Sequence, residues 1–327
     1  MSFRLVTIAL NIATMFACSQ SASPRNSSTR TSPLPSNGPA VNRTGGKSCL
    51  QIVNGLPTRD FPTVVRLVGL RGNSVGVCTG TFISPTAVIT AAHCIDSSSN
   101  GGLSIVPGDR LDFSRNPLTG ATKALRAFTL GSIGSTGNTG SSEVVGKDTA
   151  ILLFPSGIAK GYSEIATGKP SVGTKAASVG YGLQDYFDDE TAGEGYDASK
   201  HFGSIDVVNS GDELNIYVGD YTAAESERVL GAKVVDSMGD SGGPLFVNGR
   251  ITGTLSVGGA RERATDGESA YFSVFVDINS ATTRQLIQIA NAGGANIPPP
   301  GTAPTNLSAP DNSTAATTAN ENDSTCQ

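Results

Sequence analysis

The sequence predicts an all-β, turn-rich fold, either a sandwich or a barrel, closed by a single helix. Two observations carry this. Short runs rich in β-branched and other apolar residues recur at 63–70, 76–83, 86–90, 125–130, 148–154, 176–180, 203–208, 214–218, 229–235, 250–257 and 271–276, with turn residues between them. Gly accounts for 40 of 327 residues, charged residues for 16%, and Trp is absent, a balance that suits an extracellular β protein. Strands that follow one another without intervening helices argue against a βαβ array.

Taken in chain order, residues 1–18 come first. Arg4 precedes an apolar stretch, 5–17, too short to span a bilayer and readable as the core of a signal peptide. It ends in Met15-Phe16-Ala17-Cys18, a pattern similar to a lipoprotein cleavage box, with Cys18 as the residue to be lipidated. An ordinary signal peptide cut near Ala17 or Ala22 is the alternative. Both readings place the protein outside the cytoplasm, secreted or lipid-anchored. Residues 19–51 and 292–327 are rich in Ser, Thr, Pro, Asn and Gly and cannot bury enough surface to offset their ordering, so both are expected to be disordered. Between them, 52–291 is the folded unit, and 279–291, with Leu286, Ile287 and Ile289 before Gly293, is its closing helix. The net charge of −5 gives no reason to expect nucleic acid or an anionic membrane surface as partner.

The chemistry starts at Gly239-Asp240-Ser241-Gly242-Gly243-Pro244. A serine on a glycine-flanked turn leaves its hydroxyl exposed and its backbone N–H groups free to meet a carbonyl. The same letters satisfy the nucleophile elbow of α/β-hydrolases, where the base follows the serine. The sequence has two histidines, His93 and His201, and both precede Ser241. That excludes the hydrolase order and leaves His–Asp–Ser, or Asp–His–Ser with an acid such as Asp60 ahead of His93. The second belongs to an α/β fold and does not suit a β-rich protein. His201 reads as an ordinary surface or edge residue.

His93 lies in Thr90-Ala91-Ala92-His93-Cys94, and Asp148 opens a buried-strand run, Asp148-Thr149-Ala150-Ile151-Leu152-Leu153. With the Ser241 turn, and in this order, these segments resemble the trypsin/chymotrypsin family of serine proteases. Ile52-Val53-Asn54-Gly55 is similar to that family's N-terminus after activation, and Val179-Gly180-Tyr181-Gly182 to the Gly-Trp-Gly segment near the middle of its members. The resemblance runs from about Ile52 to Asn291. It implies two six-stranded antiparallel Greek-key β-barrels with a C-terminal helix, acting as a monomer on protein or peptide substrates, with no cofactor and no metal.

The resemblance also assigns roles. Ser241 would attack the scissile carbonyl, His93 would move the proton, and Asp148 would orient the imidazole, with the N–H groups of Gly239 and Ser241 as oxyanion hole. Asp240 would pair with the amine freed by a cut before Ile52, made by an activating protease. The preceding residue is Gln51, not Lys or Arg, which departs from the usual cut site. Cys78 and Cys94, sixteen positions apart, would form a disulfide around the histidine, while Cys49 and Cys326 could also pair. For the substrate pocket, an ungapped count puts Val235 at the base and a one-residue deletion puts Asp236 there, which would favour Lys or Arg. Ser256, Val257 and Gly258 would form the strand that pairs with substrate. Two rival functions stay open on sequence: a non-catalytic, protease-shaped binding protein, and a serine esterase on the same site.

Overall fold

The computed structural model describes residues 52–304, except 72–73, 97–101, 114, 131–144, 184–195, 210–212 and 264. The expected leader, Cys18, the 19–51 linker with Cys49 and Gln51, and the tail with Cys326 lie outside the described residues.

The strands are β1 (Leu56–Pro57), β2 (Val64–Arg71), β3 (Ser74–Phe82), β4 (Ala87–Thr90), β5 (Ser104–Ile105), β6 (Thr122–Lys123), β7 (Arg126–Thr129) and β8 (Ala150–Leu153). After these come β9 (Lys175–Gly180), β10 (His201–Asn209), β11 (Asn215–Tyr221), β12 (Pro244–Val247), β13 (Arg250–Glu262) and β14 (Ser269–Asp277). They form two seven-stranded antiparallel sheets, ordered β6-β5-β2-β3-β4-β8-β7 and β1-β10-β11-β14-β13-β12-β9. In the second, β9 also pairs with β10, which closes a ring of the six strands β9 to β14 and leaves β1 on its rim. The fold is therefore two curled antiparallel barrels, with β1, β5 and β6, of two residues each, as the strands too short to read from sequence.

Strand β10 alternates between buried and half-buried residues, whereas β4, β8, β12 and β14 are buried almost throughout, as strands covered on both faces are. Leu67, Phe82, Val88, Leu152 and Phe154 pack in the first barrel, and Ile205, Val207, Ile216, Leu255 and Phe275 in the second. A third cluster joins them: Ile89 and Ile151 from the first barrel meet Val179 and Phe246 from the second and Leu286 from the helix. That helix, Ala281–Ala292, starts where the Ser280 hydroxyl accepts from the Thr283 N–H.

Three expectations need correction. Residues 229–235 make isolated bridges rather than a strand, because Gly231 and Lys233 take left-handed backbone angles that break extended geometry. His201 is buried on β10, in register with Gly180, not on the surface. Residues 293–304, expected to belong to the tail, pack against the body: Ala295 and Ile297 are buried in the inter-barrel cluster.

Candidate active site

Strand β4 delivers the backbone into a short helix, α1 (Ala92–Asp96), which carries His93 between Ala92 and Cys94. Cys94 is joined to Cys78 on β3 by a disulfide, as the resemblance implied, so the histidine segment is tied to its own barrel. The sulfurs of Cys78 and Cys94 lie close to the His93 ring, but bonded to each other they offer no thiolate to a metal.

Asp148 stands just ahead of β8 and is 2% exposed. Its Oδ2 lies 2.7 Å from His93 Nδ1 and its Oδ1 accepts the His93 N–H at 2.9 Å, so one carboxylate fixes both the ring and the backbone of the histidine. The Ser256 hydroxyl donates to Oδ2 at 2.6 Å. Burial pushes this carboxyl's pKa up, but the His93 charge and the bonds from His93 and Ser256 outweigh it, and the net position is below the ordinary value. A carboxylate held ionised in a dry site keeps its partner ring in one orientation and favours the imidazolium once it forms.

Ser241 lies on a turn packed directly against the histidine segment. Its carbonyl accepts from the Thr79 N–H at 2.8 Å, and Cys94 Sγ lies 3.8 Å from the same oxygen. Thr79, on β3, also donates its hydroxyl to the Gly239 carbonyl at 3.0 Å. Peptide planarity then decides where the N–H groups point. The Met238 carbonyl accepts from the Leu183 N–H at 2.8 Å and the Asp240 carbonyl from the Gly243 N–H at 2.7 Å. The N–H groups of Gly239 and Ser241 lie on the opposite edges of those peptides from the bonded carbonyls. Gly239 has φ +101°, and a Cβ there would come within 2.9 Å of Gly182 Cα and of the Tyr196 hydroxyl.

Behind the turn lie two buried carboxyls. Asp240 accepts the Gly182 N–H at 2.7 Å and the Ser237 N–H at 2.9 Å. Asp236 accepts the Ser178 hydroxyl through Oδ1, while its Oδ2 has no hydrogen-bond partner. Ser273 lies close enough to favour the Asp236 carboxylate, though its Oγ makes no hydrogen bond of normal geometry. Burial raises the pKa of both acids, that of Asp236 to about 6, and the charge of Asp236 raises that of Asp240 further. Ile52 is fully buried in the second barrel's core. Asn54 holds the following turn by donating to the backbone carbonyls of Ser226, Val229 and Ala232. Val235 packs with Val53 and Tyr271 in an apolar cluster.

The family model described as Trypsin matches residues 52–282, the length that builds both barrels and all of this geometry. The chain belongs to the trypsin family. It is 27% identical over 242 residues to a trypsin of Saccharopolyspora erythraea, an overlap of 72% of this chain and 95% of that protein. It is 28% identical over 194 residues to a brachyurin of Leptuca pugilator, covering 56% of this chain and 76% of that one. Among solved structures, a Glu endopeptidase in complex with MPD shares 20% identity at TM-score 0.48, over 74% of this chain and 100% of its own. The trypsin-family chain is a serine-type endopeptidase acting on proteins or peptides.

Sequence reading singled out His93, Asp148 and Ser241, and the structure brings their segments together. It missed Thr79 as the clamp on the serine turn, because a threonine in a β run carries no signal of its own. Ser256, expected on the substrate strand, spends its hydroxyl on Asp148.

Proposed function

We propose that this trypsin-family chain is an exported endopeptidase, made as a precursor, that cleaves peptide bonds through an acyl-enzyme in which Ser241 is the nucleophile. His93 takes the Ser241 hydroxyl proton as the oxygen attacks the scissile carbonyl, then gives it to the departing amine. Asp148 holds the ring and stabilises its cationic form, and the N–H groups of Gly239 and Ser241 receive the oxyanion. The observation that carries this reading is the three-point hold on Asp148 by the His93 ring, the His93 backbone and Ser256. A fluorophosphonate probe is expected to label Ser241 and to stop labelling in His93→Ala; labelling that survives in His93→Ala would refute the assignment.

The cut before Ile52 frees an amine for Asp240, whose carboxyl already accepts bonds from Gly182 and Ser237. Active mature protein with its N-terminus well upstream of Ile52 would contradict this, and sequencing that terminus also tests the lipid on Cys18. At the residue before the scissile bond the preference is for Lys or Arg, through Asp236 rather than Val235. Support comes from the spare Oδ2 of Asp236 and from Ser273 beside it, whose register partner is Gly258 on the substrate strand. Val235, by contrast, is committed to its apolar cluster. Asp236→Ser is expected to lose cleavage after Lys and Arg.

A further inference from the structure

Strand β13 changes neighbours part-way along its length. Up to Thr254 it lies between β12 and β14, and from Ser256 to Glu262 it runs beside β14 alone. Leu255 marks the change. Its N–H donates to the Gly243 carbonyl and its own carbonyl accepts the Gly242 N–H, both at 2.8 Å, so its backbone bonds go to the serine turn and not to β14. The β14 register then slips by one residue between Leu255 and Val257. Such a bulge exchanges the residues that turn their backbone groups inward with those that turn them outward. Beyond it Val257, Gly259 and Arg261 bond to β14, while Gly258, Ala260 and Glu262 point their N–H and C=O groups to the open edge. The far end of the hairpin gives the same phase, since the Arg263 N–H donates across it to the Glu268 carbonyl at 2.8 Å. Among the described residues, no hydrogen bond reaches the outward groups of Gly258, Ala260 or Glu262.

We propose that the open edge of β13 from Gly258 through Glu262 binds the substrate main chain well upstream of the scissile bond, so that the preferred substrate is a long extended segment of polypeptide. This rests on the endopeptidase reading above, in which Ser256, Val257 and Gly258 take the first three residues before that bond. Continuity decides the occupant. The edge starts one residue after Leu255, which the serine turn holds, and the Ser256 hydroxyl is bonded to Asp148. A strand whose scissile carbonyl reaches Ser241 therefore enters this edge directly, running antiparallel to β13. Counted from Ser256, its third residue falls at Gly258, its fifth at Ala260 and its seventh at Glu262. Exposed edges are commonly blocked by charge, proline or bulky neighbours. Here Gly258, Gly259 and Ala260 carry nothing larger than a methyl group, so a second backbone can approach. The hairpin is also braced from behind. Arg261 stacks on Phe272, 5.1 Å from the ring centre, and reaches Asp220 at 3.2 Å, while Arg263 bonds Glu225 at 2.8 Å and Asp266 at 2.6 Å. Asp220 belongs to β11 and Glu225 to the short helix Ala223–Ser226, so the edge is held to the second barrel before substrate arrives.

The test compares, on the active protein, peptides with three and with seven residues before the scissile bond. The first three residues are the same in both, and the fourth to seventh are Ala, so that added length adds backbone and little else. One series has Arg and another Phe next to the scissile bond, which separates the length effect from the choice of that residue. In whichever series is cleaved, kcat/KM is expected to rise about tenfold from three residues to seven, through backbone hydrogen bonds to Ala260 and Glu262. Within the longer peptide, N-methylation of the fifth residue removes most of that gain. At the fourth or sixth residue, whose N–H groups face away from β13, it changes kcat/KM by less than about twofold. Ala260→Pro removes one outward N–H and leaves the β14 ladder intact, so the ratio of long to short peptide falls from about tenfold toward one. Equal kcat/KM at both lengths, or equal losses from N-methylation at the fourth and fifth residues, would overturn the proposal and leave the endopeptidase reading standing. A dimer in sedimentation that Ala260→Pro dissociates would also overturn it, because the edge would then belong to a second copy. Cleavage of neither series at either length would overturn the endopeptidase reading and the edge with it. Should Ala260→Pro not fold, the N-methylation pattern on the unaltered protein decides alone.

Discussion

At Asp148, three donors converge on a carboxylate that burial alone would protonate, and the outcome is a group ionised below the ordinary range. The sign follows from linkage. A depressed carboxyl adds stability that is present above its unfolded value and fades only as pH falls through its lower folded value. The acid limb of activity is therefore expected to report His93 and not Asp148, which a pH profile of kcat/KM on a neutral substrate would check. Asp148→Asn should lower kcat on the order of 10⁴-fold, since the amide can hold His93 only in the wrong tautomer. Ser256→Ala removes one bond to the charged oxygen, a loss of about 1.5 kcal/mol or roughly tenfold in kcat, with KM for small substrates nearly unchanged. Gly239→Ala combines a backbone angle of +101° with a Cβ 2.9 Å from Gly182 Cα. It should displace one oxyanion donor and cost on the order of 10² in kcat, read as slow turnover in a protein that still binds benzamidine.

Residues 52–55 behave as one element, clamped onto 226–235 from two sides. Val53 bridges Val235, and Asn54 donates its amide to the carbonyls of Ser226, Val229 and Ala232 from a left-handed backbone with φ +63°. Asn54→Ala removes the donors and puts a less tolerant residue at that angle, so a loss of about 2–3 kcal/mol and a Tm several degrees lower are expected by calorimetry. Asn54→Gly should recover the part due to backbone strain and nothing of the hydrogen bonding. This segment also shows where sequence stops being informative. The run 203–208 was legible because burial on one face writes a period of two into the sequence, and 271–276 because a nearly continuous apolar run marks a strand buried on both faces. Residues 229–235, Val-Leu-Gly-Ala-Lys-Val-Val, also looked like a strand, but Val234 and Val235 face different cores and Gly231 and Lys233 turn the backbone ahead of them. The His93, Asp148 and Ser241 segments were legible because glycine and alanine neighbours are demanded by close packing around them. Thr79, Ser178 and Ser273 were not, because a hydroxyl in a strand looks the same whether it faces water or a buried partner.

The two barrels are held together by a shared interface that the polypeptide crosses more than once, and the C-terminal segment is its last layer. Helix Ala281–Ala292 contributes Leu286 and Ala290 to the cluster that contains Ile89 and Ile151 of the first barrel and Val179 and Phe246 of the second. The polypeptide then continues past the helix instead of leaving the surface. Ala295 is fully buried and Ile297 is 5% exposed. The Ala295 carbonyl accepts the Ser84 hydroxyl at 2.6 Å, Asn291 exchanges hydrogen bonds with Ile297 at 2.7 and 3.0 Å, and the Gly301 N–H donates to the Ile165 carbonyl at 2.8 Å. Ile165 itself bridges Ile251 of the second barrel, so this strap ties the first barrel to the segment that joins the two. A protein ending at residue 304 keeps the whole strap and is the reference for a shorter one. One ending at residue 292 loses the buried Ile297 side chain and removes the acceptor of the Ser84 hydroxyl, a loss of about 2–4 kcal/mol. Because the strap lies on the side of the body that joins the barrels, the shorter protein should lose activity on warming before it loses its far-UV circular dichroism. Equal thermal stability of the two truncations would show that the inter-barrel cluster closes without residues 293–304.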